Sequence, residues 1–129
     1  MLFRSGYATG MSVVSAHLAG DRVNLSWIPL LAMERHTTIV LMGLSRAEQI
    51  RDEALQQNIN PTLSVAIVSN ATSANQTTII TTLKDLAMAA KRAPKPAIMI
   101  FGDVVALESQ LPKYIHEIKE TTHDIALSS

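Results

Sequence analysis

The chain has 129 residues, enough for one ordinary domain, and 47% of them are hydrophobic, so it can bury a core. Eleven basic and eleven acidic side chains cancel, and only 4% of residues are aromatic, which argues against a binding surface for nucleic acid or anionic membranes. The absence of cysteine excludes disulfides and thiolate sites and fits a cytoplasmic protein. No apolar run could span a bilayer, and residues 1–6 lack the pattern of a signal peptide.

The first third of the chain predicts two strands separated by a short helix. Ser12–Leu18 has the composition of a strand. Ser26 could cap a short helix over Trp27–Met33, with Pro29 tolerated in its first turn. Thr37–Met42 is an apolar run typical of a strand that is buried on both faces.

The end of this second strand is the most informative stretch. The strand stops at Gly43, and Ser45 with Glu48 forms an S-x-x-E pattern, which predicts a capping box and a helix that reaches about Gln57. A buried strand, a glycine turn and a helix make half of a βαβ unit, and ligands bind at the carboxyl ends of such strands. Met42–Gly43 is therefore a possible ligand edge, although a Met that ends a buried strand is usually core filler.

The second half alternates strands and helices. Val65–Val68 predicts a buried strand, and the polar loop Ser69–Gln76 follows it directly. Thr77–Thr82 is β-branched throughout and could form a strand or lead into a helix. Leu83–Arg92 predicts a helix, and Ala97–Phe101 predicts another buried strand.

The remainder of the chain is less regular. Val104–Leu107 could form a last strand, and the polar tail could be helical around Tyr114–Glu120. The alternation of short strands and helices predicts an α/β fold, with a mixed sheet of about five strands and helices packed on it.

No familiar catalytic or metal-binding motif is present. The four histidines lack metal-ligand spacing, and His17 is better explained as a structural residue than as a catalyst. There is no nucleophile elbow, dinucleotide fingerprint or P-loop. Chemistry alone therefore indicates an α/β domain with one candidate ligand edge.

A series of segments, in register over about residues 2–114, is more specific than any one of them. The segments are Tyr7-Ala8, Ser15–Leu18, Leu25–Trp27, Thr38–Leu44 and Pro96–Val105. They resemble the runs YA, TGHL, LDW, TLVxYMGL and SPALIIIGEVV of the uroporphyrinogen-III C-methyltransferases, which include the methyltransferase half of siroheme synthase and belong to the tetrapyrrole methylases.

Shorter matches support the same resemblance. Pro61–Val68 is similar to xPVAIV, Ala71-Thr72 with Gln76 to GT…Q, and Thr82-Leu83 to GTL. Leu111 stands where the family has the Leu of KLNWF.

The resemblance implies a reaction, a cofactor and a set of contacts. Two S-adenosylmethionine molecules methylate uroporphyrinogen III to precorrin-2, on the way to siroheme or cobalamin. The enzymes are dimers, and the cofactor lies between two α/β domains. Residues 1–114 correspond to the C-terminal domain, followed by a polar tail over 115–129. The cofactor-binding positions map to Met42, Ala71 and Ala97, with no catalytic residue and no metal ligand in this half.

The chain also departs from the family. The N-terminal domain, with its glycine-rich loop and its acid and base residues, has no counterpart here. Ala71 replaces a glycine, Thr77 an arginine and Thr81 a glycine. Three hypotheses remain open: the C-terminal half of the enzyme, inactive alone and completed by an N-terminal domain; a degenerate module that binds a ligand or dimerises; and a related methylase of corrin precursors.

Overall fold

The computed structural model describes residues 10–103, 112–113 and 115–116. The described strands are β1 (Gly10–Ser15), β2 (His36–Leu41), β3 (Ser64–Ser69), β4 (Thr77–Thr82) and β5 (Ala97–Gly102). The described α-helices are α1 (Ala47–Gln56) and α2 (Leu86–Arg92), and the short 3₁₀ turns are Ile28–Ala32, Leu44–Arg46 and Leu83–Asp85.

The five strands form one mixed sheet in the order β1-β2-β5-β3-β4. β1 is parallel to β2, whereas β5 lies between β2 and β3 and is antiparallel to both. β2 and β3 are therefore parallel, and α1 is the crossover between them. β4 returns antiparallel along β3. The predicted fold class, a mixed sheet of about five strands with packed helices, is confirmed.

Strand alternation divides the core into two clusters. Val40, Met99 and Phe101 point to the face covered by α1, α2 and the Ile28–Ala32 turn, which we call the helix face. Ile39 and Ile100 point to the opposite side, called the second face, where Ile115 packs with them. Because successive side chains of a strand point to opposite faces, both faces require apolar residues, and the strands read as continuous apolar runs.

The first predicted strand was shifted by several residues. β1 covers Gly10–Ser15, and the chain then folds back, with the Leu18 N–H donating to the Arg22 carbonyl at 3.0 Å. Asn24 holds this fold in place, since its N–H donates to the Ala16 carbonyl at 2.7 Å and its side-chain amide donates to the Ser15 carbonyl at 3.0 Å.

The predicted caps of two helices were wrong. The helix after Ser26 is a 3₁₀ turn whose N-cap is Trp27, because the Ser26 hydroxyl instead donates to Asn24 Oδ1 at 2.7 Å. Pro29 does lie in its first turn. The capping box of Ser45 and Glu48 does not form either. These two residues straddle a junction between the Leu44–Arg46 turn and α1, and no side chain caps either element.

The second half followed the prediction more closely. β3 and β5 are slightly longer than expected, and Thr77–Thr82 is a strand rather than the start of a helix. The predicted helix over Leu83–Arg92 divides into a 3₁₀ turn and α2. Val104–Leu107 lies outside the described residues, as does the Tyr114–Glu120 helix except for 115–116, which are helical. No helix in the described part is long and apolar enough to cross a membrane.

Candidate functional site

All five described strands have one terminus at the same edge of the sheet. The register aligns Ser15 with Leu41, and it aligns Ser69 with both Thr77 and Ala97. The parallel strands β1, β2 and β3 therefore end where the antiparallel strands β4 and β5 begin. We call this the carboxyl edge; it is where ligands bind in open α/β sheets.

Met42 follows β2 at this edge in an unusual backbone conformation. Its φ is +55°, in the left-handed region that non-glycine residues rarely adopt. Continuing the β2–β5 register by two residues places Met42 opposite Ala97. The Met42 side chain is half-buried and packs against the cluster on the second face.

Gly43 comes next, at a position where a side chain would be crowded. A Cβ at this position would lie 2.9 Å from Met99 Cε and 3.1 Å from both Ala16 Cβ and Val40 Cγ1. The backbone of the turn after β2 therefore lies directly on the core. The Gly43 carbonyl accepts a hydrogen bond from the Arg46 N–H at 2.9 Å, which begins the turn into α1.

The loop after β3 forms the adjacent part of the edge. The Asn70 N–H donates to the Pro96 carbonyl at 2.8 Å and ties the loop to the start of β5. The Thr72 N–H donates to Gln76 Oε1 at 2.9 Å and closes the loop on itself. Ala71, between these two tethers, is half-buried and packs against the same cluster as Met42.

Backbone strain is concentrated at this edge. The described chain has five non-glycine residues with positive φ, and three of them, Met42, Asn70 and Thr72, flank the site. Such conformations cost about 1–3 kcal/mol each and cluster at functional sites. Asn70 was not among the predicted site residues. An Asn directly after a buried strand was the available signal, because Asn tolerates the left-handed region.

The three predicted cofactor residues share the carboxyl edge but not a face. Met42 and Ala71 pack on the second face, whereas the Ala97 side chain is 2% exposed and belongs to the helix-face cluster. Only the backbone of Ala97 can reach a ligand that lies on Met42 and Ala71.

The carboxyl edge itself carries no charge. Neither 41–43, nor 69–72, nor 96–97 contains a charged residue. Burial lowers the pKa of His36, but this residue begins β2, at the far end of the strand, where its Nε2 lies 2.8 Å from Ser12 Oγ. The described residues also hold no group of three side chains suited to a metal ion. The edge can therefore position a ligand through backbone and apolar contacts, but it supplies no acid or base.

Comparison with known proteins assigns this arrangement to a family. The model of the tetrapyrrole (corrin/porphyrin) methylases matches residues 5–87, well over half of the chain. The chain belongs to the tetrapyrrole methylases. The suspected resemblance is thereby confirmed at the level of the family.

Relatives and solved structures of this family agree with the fold. Siroheme synthase 2 of Pectobacterium atrosepticum is 33% identical over 105 residues, which are 81% of this chain and 22% of the relative. A siroheme synthase of Neisseria meningitidis serogroup A is 31% identical over 117 residues, 91% of this chain and 24% of the relative. Uroporphyrin-III C-methyl transferase of Thermus thermophilus, solved with S-adenyl homocysteine, superposes with a TM-score of 0.67 at 28% identity, covering 82% of this chain.

The chain matches only a part of these family members. It spans less than a quarter of the siroheme synthases and 45% of the T. thermophilus enzyme. A cobalt precorrin-4 methyltransferase, 18% identical with a TM-score of 0.63, shares the fold.

Proposed function

We propose that this chain is the C-terminal, cofactor-binding half of a methyltransferase that uses S-adenosylmethionine to convert uroporphyrinogen III to precorrin-2, toward siroheme or cobalamin. The observation that carries the proposal is the meeting of Met42, Ala71 and Ala97 at one uncharged, strained sheet edge. The T. thermophilus relative, which was solved with S-adenyl homocysteine, supports the choice of cofactor.

The residues of the edge fit an adenosine-containing ligand. Met42 and Ala71 present half-buried apolar surface. Among the described contacts, no hydrogen bond engages the backbone of Ala71, which leaves its N–H and carbonyl available to a purine edge. The methyl group that distinguishes Ala71 from the family glycine packs on the second-face cluster and adds to the apolar surface.

The proposed reaction explains why this half has no acid or base. When bound, S-adenosylmethionine supplies an electrophilic methyl group on a sulfonium, and its transfer is an in-line displacement. Holding donor and acceptor in the reactive geometry is the main contribution of the protein. Backbone contacts and the Met42 side chain suffice for this on the cofactor side, while acid and base groups belong to the opposite wall.

The proposed enzyme has defined domain bounds, a second domain and a homodimeric assembly. Residues 1–114 form the domain and 115–129 a tail, the first residue of which, Ile115, packs on the second face of the sheet. An N-terminal methylase domain completes the cleft. The assembly is a cytoplasmic homodimer that takes a tetrapyrrole substrate. The second candidate is a non-catalytic module that binds the cofactor or dimerises without methyl transfer. The observation that favours it is the uncharged carboxyl edge, where the described residues 41–43, 69–72 and 96–97 supply no acid or base.

Calorimetric titration with S-adenosylhomocysteine tests the proposal. The chain is titrated alone and with the separately expressed N-terminal domain of a siroheme synthase relative. We expect binding in the mixture, and we expect Met42→Ala to weaken it about tenfold because an apolar contact is lost. Met88→Ala is the matched control, since Met88 is 69% exposed on α2.

The outcomes separate the two candidates. Failure to bind with and without the N-terminal domain would contradict the enzyme and the cofactor-binding module alike. Binding without methylation of uroporphyrinogen III by the mixture would favour the non-catalytic module. An equal loss of affinity for S-adenosylhomocysteine in the Met42 and Met88 variants would contradict the proposed site.

A further inference from the structure

The loop between β3 and β4 is closed by hydrogen bonds that hold both neighbours of Ala71. The Asn70 carbonyl accepts from the Ser73 N–H at 3.1 Å and from the Ser73 hydroxyl at 2.9 Å. The Thr72 N–H donates to Gln76 Oε1 at 2.9 Å. Ala71 lies between these bonded groups, and no described hydrogen bond engages its own N–H or carbonyl.

These bonds fix the orientation of the two peptide groups that flank Ala71. In a planar trans peptide the N–H and the carbonyl point in opposite directions. The Thr72 N–H and the Ala71 carbonyl belong to one peptide group, so Gln76 fixes the direction of that carbonyl by accepting from the N–H. Ser73 does the same for the Ala71 N–H, because it holds the Asn70 carbonyl of the preceding peptide group. Both groups of Ala71 therefore point away from the side chains that close the loop.

The bond to Gln76 also offsets backbone strain at Thr72. The φ of Thr72 is +68°, and a β-branched residue in this left-handed region is an outlier. Such a conformation persists only where the surrounding structure holds it. Among the hydrogen bonds of the described residues, the bond to Gln76 is the one that engages Thr72. Without it we expect Thr72 to leave this conformation and the Ala71 carbonyl to turn with it.

We propose that Gln76 is a positioning residue for the cofactor, which holds the peptide group after Ala71 in the orientation that a ligand at the carboxyl edge contacts. The inference rests on the proposed function, since it concerns the same edge. The Gln76 side-chain oxygen is already bonded to Thr72, so Gln76 acts through this peptide group. A carbonyl that is held in advance binds more tightly than a mobile one, because less conformational freedom is lost on binding.

Two variants of Gln76 separate its oxygen from the rest of the side chain. Gln76→Ala should weaken binding of S-adenosylhomocysteine about tenfold, in calorimetry of the chain mixed with the N-terminal domain of a siroheme synthase relative, because one hydrogen bond is lost. Gln76→Glu keeps an oxygen acceptor and should restore the affinity to within about twofold. Gln57→Ala is the matched control, since Gln57 is an exposed glutamine whose side chain bonds to Glu53 at the end of α1.

Thr72→Gly tests whether Gln76 acts through the strained backbone. Glycine adopts positive φ about as readily as negative φ, so the loop needs less support from Gln76 in this background. Gln76→Ala should therefore weaken binding of S-adenosylhomocysteine only about twofold in the Thr72→Gly chain, against about tenfold in the unmodified chain. A loss of the same size in both backgrounds would overturn the proposal, because Gln76 would then act by another route.

Amide hydrogen exchange of the chain alone gives a readout that needs no ligand. The Thr72 N–H should exchange about tenfold faster in Gln76→Ala and at an unchanged rate in Gln76→Glu, because exchange requires the hydrogen bond to open. Unchanged exchange in Gln76→Ala, or unchanged affinity for S-adenosylhomocysteine, would overturn the role of Gln76. Failure of every protein, including the unmodified chain, to bind S-adenosylhomocysteine would instead contradict the proposed function, so the two failures are distinguishable.

Discussion

At the scale of single residues, Gly43 determines how β2 turns into α1. Its missing side chain lets the backbone lie against Ala16, Val40 and Met99. Ala16 is held there by main-chain bonds to Leu41 and Asn24. The turn that presents Met42 therefore depends on packing from three separate parts of the chain, not on local turn chemistry.

Gly43→Ala should destabilise the fold by about 1–3 kcal/mol, the usual cost of overpacking a core. The double variant Ala16→Gly/Gly43→Ala should show a coupling of at least about 0.5 kcal/mol, since it removes one of the three clashes. Urea denaturation of the unmodified chain, the two single variants and the double variant measures both the destabilisation and the coupling. Gly20→Ala is the control: nothing lies within 4 Å of its Cβ, so its cost comes from a φ of +74° and should not couple to Ala16. Strict additivity of the Gly43 and Ala16 changes would contradict the packing argument.

His36 makes stability depend on pH. Burial disfavours its charged form and lowers its pKa below the ordinary value of 6.5, so the unfolded chain binds the proton more readily than the folded chain. The contribution of His36 is therefore fully present above pH 6.5 and is lost as the pH falls through its lowered pKa. Urea denaturation from pH 8 to pH 5 should show a smaller loss of stability for His36→Gln than for the unmodified chain. Parallel curves for the two proteins would contradict this assignment.

At the scale of elements, helix starts depend on tertiary contacts more than on cap motifs. The S-x-x-E pattern at Ser45 predicts a capping box, but Ser45 itself lies in the 3₁₀ turn Leu44–Arg46, where the Arg46 N–H donates to the Gly43 carbonyl. Leu44 is buried in the helix-face cluster, and this burial fixes where the turn lies. Ser45 remains exposed, so its side chain does not decide where α1 begins.

Ser45→Ala should accordingly change the free energy of unfolding by less than about 0.5 kcal/mol, as for an ordinary surface substitution. Replacing a serine that caps a helix by alanine would lower the free energy of unfolding by about 1 kcal/mol. Asn24→Ala is the contrast, because it removes the side-chain bonds to Ser15 and Ser26 and should cost about 1–3 kcal/mol. Thermal and urea denaturation of both variants measure these free energies of unfolding. A larger decrease for Ser45→Ala than for Asn24→Ala would contradict the conclusion that Ser45 does not cap α1.

At the scale of the whole molecule, the proposed function makes the carboxyl edge one wall of a cleft that another domain would complete. Met42 and Ala71 are only half-buried, and the chain covers 45% of the T. thermophilus enzyme and 22% of the P. atrosepticum siroheme synthase. Apolar ligand surface exposed in this way is typical of a site that a partner covers.

The isolated chain should therefore bind a hydrophobic fluorescent dye, and the N-terminal domain of a relative should displace it. The T. thermophilus enzyme, 45% of which this chain covers, is the control. Fluorescence titration measures the effect. Dye binding no greater than that of the complete enzyme, from a monomeric chain, would weaken the proposal that a wall is missing.

The sequence by itself determined the three buried strands β2, β3 and β5, and the family. The apolar runs Val65–Val68 and Ala97–Phe101 are buried on both faces, and both are strands. A run that is apolar at every position predicts such a strand whichever elements cover its two faces. The series of short motifs identified the tetrapyrrole methylases without any single catalytic residue. Composition and periodicity are local properties, so the printed sequence carries them directly.

Tertiary structure decided the rest. Insertion of β5 between β2 and β3 brings Ala97 to the edge beside Met42 and Ala71, yet turns its side chain to the helix face. Pairing with β3 made a strand of Thr77–Thr82 and left it as the outermost strand of the described sheet. These outcomes depend on register and on contacts between distant segments, which a one-residue shift would reverse and which no local pattern records.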